Sequence, residues 1–413
     1  MFPQEAKAIA ATVFYFNVRD PAYGSFCDGV NDDAPAFNAA IAAAKAVGGG
    51  VVLVPAGNYL IKTSINLAVA DTPVTLEGAG PGDVAFPGYT LPSWAGTPKG
   101  TTLVVVGTID GIVVSGNRPT VRRLGIYSST PRASGRGIYA NGTRNVLIED
   151  VDTCNQFIAI EITKGFMHRV ERCLLTRVAD GAGFGFVLNG NSTSAPSNDT
   201  YINEVYVTNL FVAFRIQHTG SVLLTRCSSL LCGYGLLVDP GNDQIVLYSF
   251  FTDCVWDVSS ADCVRLIPTG TGKIRSLNFT QCWSASSTGG NLCTIAGDVD
   301  GVQFVGHRFV NCQIGNGLWV SGPLVQHVYA DNCIAAQVAV GGGFVFVGGV
   351  QEFAVRNCHS GTHGGLLSNK WGVLVDSSCS KYIITACVLQ GNTTSNLVDS
   401  GVAPKVVVNN LSI

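Results

Sequence analysis

Two carboxylates hold matching places in a recurring motif, and that spacing is the first sign of chemistry in the chain. The motif is an apolar residue, two variable residues, then Cys or Asn. Asp152 stands second in Val151-Asp152-Thr153-Cys154, and Glu171 stands second in Val170-Glu171-Arg172-Cys173. If those segments are neighbours at one strand spacing, the carboxyls lie about 5 Å apart. Cleavage of a glycosidic bond needs two carboxyls, about 5 Å apart for retention and about 6.5–9.5 Å for inversion. Crowding raises the pKa of one of them and makes it an acid. The alternative is that Arg169, Arg172 and Lys164 neutralise a solvated acidic face.

A second set comes from strand alternation, which sends every other side chain to one face. Glu161, Val187, Arg215, Leu237, Arg265, Trp319 and Leu374 take outward positions in segments that follow the motif. Guanidinium groups and an aromatic ring on a long face suit an acidic polysaccharide, through two-pronged pairing and stacking. The apolar members suit a neighbouring subunit instead. Asp239 and Asp243, beside Pro240-Gly241, are further acids or simple turn formers. The polar segment Asn189 to Thr200 is a loop fit to wall a groove. The chain holds no G-x-S-x-G, H-E-x-x-H or P-loop motif. His168, His218, His307, His327, His359 and His363 show no ligand spacing, so neither metal nor cofactor is expected.

The elements that must position these groups follow from composition and repeat. The chain has 413 residues, of which 47% are hydrophobic and 13% charged. Such a chain buries a large core, and its net charge of −3 argues against a nucleic-acid partner. No apolar run reaches the roughly 18–20 residues that span a bilayer, and the start lacks the pattern of a classical export signal. Glycine is abundant, at 49 residues, as expected of many turns between short strands.

The Cys/Asn motif recurs at Cys154, Cys173, Cys227, Cys254, Cys282, Cys312, Cys333, Cys358 and Cys387, with Asn209 and Asn410 in similar contexts. Steps of twenty-odd residues match one coil of a parallel β-solenoid, three short strands with turns. One coil cannot bury its own apolar face, so stacked coils must do so together. The 14 cysteines are then expected as buried free thiols, and asparagine replaces cysteine where its amide bonds along the stack. Thr208, Thr225, Thr252 and Thr280 are expected as a solvent-facing column.

Ahead of the repeat, Asp32 and Asp33 precede an Ala-rich stretch over 34–46 with Pro35 in its first turn. These are helix-start signals, and Gly48-Gly49-Gly50 ends the helix. Strands are expected at 51–54 and 59–61. The run Phe16-Asn17-Val18-Arg19-Asp20, Asp28-Gly29, Asp32-Asp33, Ala36-Phe37, Ala40-Ile41, Gly48-Gly49-Gly50 and Pro55-Ala56-Gly57-Asn58-Tyr59 resembles the opening of the pectate-lyase-like superfamily. That superfamily includes bacteriophage tailspikes and polysaccharide depolymerases. The stretch from Pro21 to Cys27 departs from its shorter Gly-rich pattern. Cys232-Gly233-Tyr234-Gly235 and Asp239-Pro240 also resemble, at a different spacing, the Tyr-Gly and Asp-Pro motif of alginate epimerases.

The superfamily resemblance implies an all-β fold, a right-handed single-stranded parallel β-helix capped by a short N-terminal α-helix. Residues 1–62 would be the capped N-terminal segment, and 63–413 one continuous helical domain. It also implies a virion-associated or extracellular homotrimer that binds and cleaves a bacterial polysaccharide by hydrolysis. Lyase chemistry at a uronate and a non-catalytic spike are the alternatives. The expected catalytic residues are Asp152, Glu171, Glu161 and Asp239, and the expected substrate-binding residues are Arg215, Arg265 and Trp319.

Overall fold

A computed structural model describes residues 13–82, 99–178, 181–189, 196–362 and 369–412. The middle of the Asn189–Thr200 loop and His363 lie outside the described residues. The chain winds into a right-handed parallel β-solenoid of about 13 turns, with one helix among the described residues, Ala34–Ala46. Every strand pair described is parallel, as a coil that returns after three strands requires. One coil illustrates the plan. Strands Ile245–Thr252, Val255–Asp257 and Val264–Leu266 lie against Lys273–Thr280, Trp283–Ser287 and Cys293–Ala296 of the next coil. Three ladders result, called first, second and third in that order. No helix among the described residues is long and apolar enough to cross a membrane.

The corner between the first and second ladders is made the same way in coil after coil. One residue turns left-handed, with φ between 51° and 57° at Arg172, Arg226, Asp253, Gln281, Asn332, Asn357, Ala386 and Asn409. The next residue then points into the core: Cys173, Cys227, Cys254, Cys282, Cys333, Cys358, Cys387 and Asn410. Each of several thiols lies against a carbonyl of the coil before. Cys282 Sγ donates to the Phe251 carbonyl at 3.3 Å, Cys358 to Ala330 at 3.3 Å and Cys387 to Val355 at 3.4 Å. Asn410 does the same with its amide, donating to the Ile384 carbonyl at 3.0 Å while its Oδ1 accepts from the Cys387 N–H at 3.0 Å. Cys358 Sγ likewise accepts from the Cys333 N–H at 3.4 Å. The expected exchange of asparagine for cysteine is therefore present at Asn410.

Three expected members of this column are elsewhere. Cys154 ends the strand Leu147–Cys154 and is in register with Tyr127 and Thr176 on the second ladder. Cys312 pairs with Ser287 and Val338, and Asn209 is a left-handed residue (φ 61°) just past the second ladder. The reason is that each coil has two tight corners, and both favour a small side chain beside a left-handed residue. The first-corner positions in those coils are held by Val151, Val205 and His307 instead. Thr225, Thr252 and Thr280 do align, whereas Thr208 sits on the second ladder and is buried.

Aromatic rings thicken the core along the axis. Phe251, Phe279 and Phe304 stack with centroids 4.5 and 4.8 Å apart. The helix closes the N-terminal end by burying Ala36, Phe37, Ala40, Ile41 and Ala44. Asp33, fully buried, does not cap the helix with its side chain. It accepts from Phe26 N, Cys27 N, Ser25 Oγ and Leu60 N at 2.8–3.0 Å, tying the preceding loop to the strand Gly57–Ile61. Asp32 accepts from Ala34 N at 3.2 Å and Lys62 N at 2.9 Å. Both aspartates are structural.

Two outcomes follow. All the described cysteines are free and only Cys27 is partly exposed, so a thiol reagent applied to the native protein should label about one of the 14 quickly and all of them in denaturant. Rapid labelling of several would contradict the column. His307 is fully buried, and burial pushes its imidazole down to about 3. Its unfolded form binds a proton below roughly pH 6.5 while the folded form does not, so its contribution to stability is complete above that pH. It is lost on acidification at about 1.4 kcal/mol per pH unit. Urea midpoints between pH 7 and 4.5 should therefore fall less steeply in His307→Cys, which restores the column's usual residue; equal slopes would refute this.

Candidate functional site

Alternation along the third ladder aligns one outward stripe. Tyr139, Glu161, Val187, Arg215, Leu237, Arg265, Thr294, Trp319, Val345 and Leu374 are consecutive register partners. All seven positions read from the sequence belong to it, including Glu161, Arg215, Arg265 and Trp319. Val187 and Val345 are already buried within the single chain, so they need no neighbouring subunit.

The charged members are paired with residues beside the stripe. Arg215 grips Asp239 with two prongs, Nε to Oδ1 at 3.1 Å and Nη2 to Oδ2 at 2.6 Å. Arg265 reaches Asp262 at 3.1 Å. Arg136 joins two carboxyls at once, Glu161 through Nε and Asp110 at 3.2 Å. Burial raises the Asp239 carboxyl pKa, and Arg215 pulls against that rise. Asp243 is a turn residue, left-handed (φ 58°), whose carboxylate accepts from Thr271 Oγ1 at 3.2 Å.

An aromatic edge runs beside these ion pairs. Phe157, Phe184, Phe211 and Tyr234 meet edge to face at 5.8, 6.4 and 5.5 Å. Arg215 lies 5.4 Å from the Phe184 ring and Arg265 lies 5.7 Å from the Tyr234 ring. Guanidinium groups backed by rings hold their planes toward solvent, where a bound carboxylate or hydroxyl can be met. The sequence reading missed Asp110, Arg136, Asp262 and this aromatic edge. Its signal was an aromatic at or just before the start of successive third-ladder strands, Phe157 before Ile158 and Phe211 before Val212.

Asp152 and Glu171 are not brought together as expected. Glu171 is in register with Glu149 and Asn203 on the first ladder, while Asp152 is in register with Gly125 and Leu174 on the second. The cause is the displaced Cys154: matching it to Cys173 slips the alignment by three residues and carries Asp152 around the corner. The Arg172 guanidinium binds Glu149, Asp150 (2.8 Å) and Glu171 (3.6 Å), so it is the neutralising cation of this acidic face. Asp152 has no ion-pair partner among the described residues, and burial raises its carboxyl to about 6. Among the described residues no group of three or more His, Cys, Asp or Glu is placed to hold a metal ion.

Removing Arg215 leaves a largely desolvated carboxylate without its cation. Arg215→Ala should cost about 1–3 kcal/mol by urea denaturation, and Asp239→Asn on that background should restore part of the loss. Additive losses would show that the two side chains are independent.

Residues 15–87 match the family model described as rhamnogalacturonase A/epimerase, pectate lyase-like. The mannuronan C5-epimerase AlgE1 of Azotobacter vinelandii is 42% identical over 75 residues. That match covers 17% of this chain and only 5% of the epimerase's length. Among solved structures, the A-module of the mannuronan C-5 epimerase AlgE6 from the same organism aligns over 96% of this chain and 99% of its own, with a TM-score of 0.61 and 16% identity. The N-terminal fragment of bacteriophage Phi29 gene product 12 aligns over 96% of this chain and 70% of its own, with a TM-score of 0.64 and 15% identity. The chain is a parallel β-helix whose N-terminal cap is similar in sequence to the rhamnogalacturonase A/epimerase, pectate lyase-like family, and whose coils share only their fold with these solved structures.

Proposed function

We propose that the protein binds and cleaves a bacterial surface or extracellular polysaccharide along the third-ladder stripe. The observation that carries this reading is a pair of arginines, Arg215 and Arg265, each held by a carboxylate and near an aromatic ring, in one register stripe with Leu237 between them. An acidic glycan fits such a pair. Its carboxylates replace protein carboxylates on the guanidinium groups, and its sugar faces stack on the rings.

Within the stripe, Arg136 brings Glu161 and Asp110 to either side of one guanidinium. A sugar carboxylate that takes over Arg136 frees both carboxyls, one to protonate the leaving oxygen and one to attack or activate water. Asp239 and Trp319 extend the binding surface along the same stripe. The coils from residue 63 onward act as one unit in this reading.

A lyase reaction at a uronate is the second reading. The sequence match to an enzyme named for mannuronan favours it, and Arg215 or Arg265 would neutralise the sugar carboxylate. Assembly as a homotrimer on a virion belongs to the same reading, and outward apolar side chains on the second ladder support contact between subunits. Leu174, Tyr206, Val255 and Trp283 share one outward column there with Ser228, between Asp152 and Arg308.

The test is release of sized oligosaccharides from a panel of capsular and O-antigen polysaccharides. Ultraviolet absorbance of an unsaturated uronate separates lyase from hydrolase. Glu161→Gln and Asp110→Asn should each lower release by at least about 100-fold, a typical scale for loss of a general acid or base, while Glu171→Gln retains it. Binding without cleavage of any glycan would leave a spike protein, and full activity in both variants would remove the Glu161–Asp110 pair.

A further inference from the structure

We infer that the first ladder carries a second, separate binding site, a recess that takes the anionic group of an acidic sugar between Arg118 and Arg169. The recess has a volume of about 390 Å³ and is lined by Arg118, Thr120, Asn145, Leu147, Met167, Arg169 and Tyr201, with Val146 beneath. That volume lies within the range of small-molecule sites and suits one or two sugar rings.

Register builds the site. Thr120, Leu147, Arg169 and Tyr201 are successive partners, one per coil. Arg118 stands just before its strand in a left-handed turn (φ 57°), its N–H bonded to the Arg144 carbonyl at 2.8 Å. The two guanidinium groups therefore sit on opposite sides of the coil that holds Leu147.

Their charge is what distinguishes them. Arg122, Arg136, Arg172, Arg215, Arg226, Arg265, Arg275 and Arg356 each hold a carboxylate. Among the described residues neither Arg118 nor Arg169 has an ion-pair partner. Arg144 adds to the positive field nearby, with its guanidinium 5.0 Å from the Phe166 ring. The nearest carboxylates on the ladder, Glu149 and Glu171, are two residues further along and are engaged by Arg172.

The rest of the lining suits a sugar more than a bare ion. Tyr201 and Met167, 44% and 50% exposed, offer apolar surface to a ring face. Asn145 and Thr120 offer polar atoms for hydroxyls. The ligand class is a glycan carrying a carboxylate, held by two arginines and stacked on Tyr201. This does not depend on the third-ladder reading, because the recess is on a different ladder.

Calorimetric titration of the full chain with a galacturonate oligomer, its methyl-esterified neutral counterpart and inorganic phosphate tests the site. An Arg136→Gln/Arg215→Gln/Arg265→Gln background removes the third-ladder arginines. On that background the acidic oligomer should still bind, and adding Arg118→Asn/Arg169→Gln should weaken it at least 10-fold. Tyr201→Ala should weaken both oligomers. All these positions are at least partly exposed, and Arg118/Arg169 and Tyr201 variants that melt at the same temperature as the background they are made on would confirm folding. An unchanged Kd in the Arg118/Arg169 variant would overturn the site, and so would no binding on the stripe-deficient background. Displacement by phosphate as effective as by the oligomer would overturn its specificity for a sugar.

Discussion

The structure depends on one constraint: no coil can bury its apolar face or satisfy its backbone except against the coils on either side. Parallel pairing at about 4.8 Å spacing supplies the hydrogen bonds. The corner between the first and second ladders keeps every coil in the same register. A left-handed residue makes that bend, and an inward side chain must follow it, cysteine in most of these coils and Val151, Val205 or His307 in others. Cysteine meets the demand as a compact apolar group whose S–H lies against the carbonyl of the coil before. Burial pushes the Cys173 and Cys263 thiols up to about 12, toward the neutral form, which keeps these two inert.

Register converts that constraint into a site. Because every coil repeats the same bend, a residue at one outward position is carried to the same place in the next coil. Arg215, Leu237 and Arg265 are consecutive on the third ladder, so the two arginines are two coil spacings apart, roughly 9.6 Å. A repeating polymer of acidic sugars presents charge at intervals of comparable size. The face is a ruler whose divisions are set by backbone pairing rather than by side-chain packing. Its ion pairs and cation–ring contacts then preset the guanidinium planes before any ligand arrives.

Much of this was legible in the sequence, for physical reasons. The helix over 34–46 is encoded locally by its proline, its alanines and the glycines that follow. The third-ladder stripe was legible because strand alternation has a period of two and its strands are short and plainly apolar. The coil repeat was visible through cysteine, but the same residue type serves both tight corners. Cys154 and Cys312 could not be told from true members of the first column by pattern alone. That ambiguity moved Asp152 off its partner, since a slip of three residues turns a first-ladder position into a second-ladder one. The contacts made by Arg136 were not legible either, because they join Asp110 and Glu161 from different coils. The recess beside Arg169 is likewise assembled from several coils and has no local motif.

The most direct test of the account is sulfur anomalous diffraction from crystals of the intact chain at long wavelength. The account predicts that the sulfurs of Cys227, Cys254 and Cys282 lie in one row about 4.8 Å apart, with those of Cys333, Cys358 and Cys387 continuing it along the same axis. Sulfurs dispersed through the molecule, or joined in pairs at bonding distance, would contradict the stacked-coil register on which both faces rest.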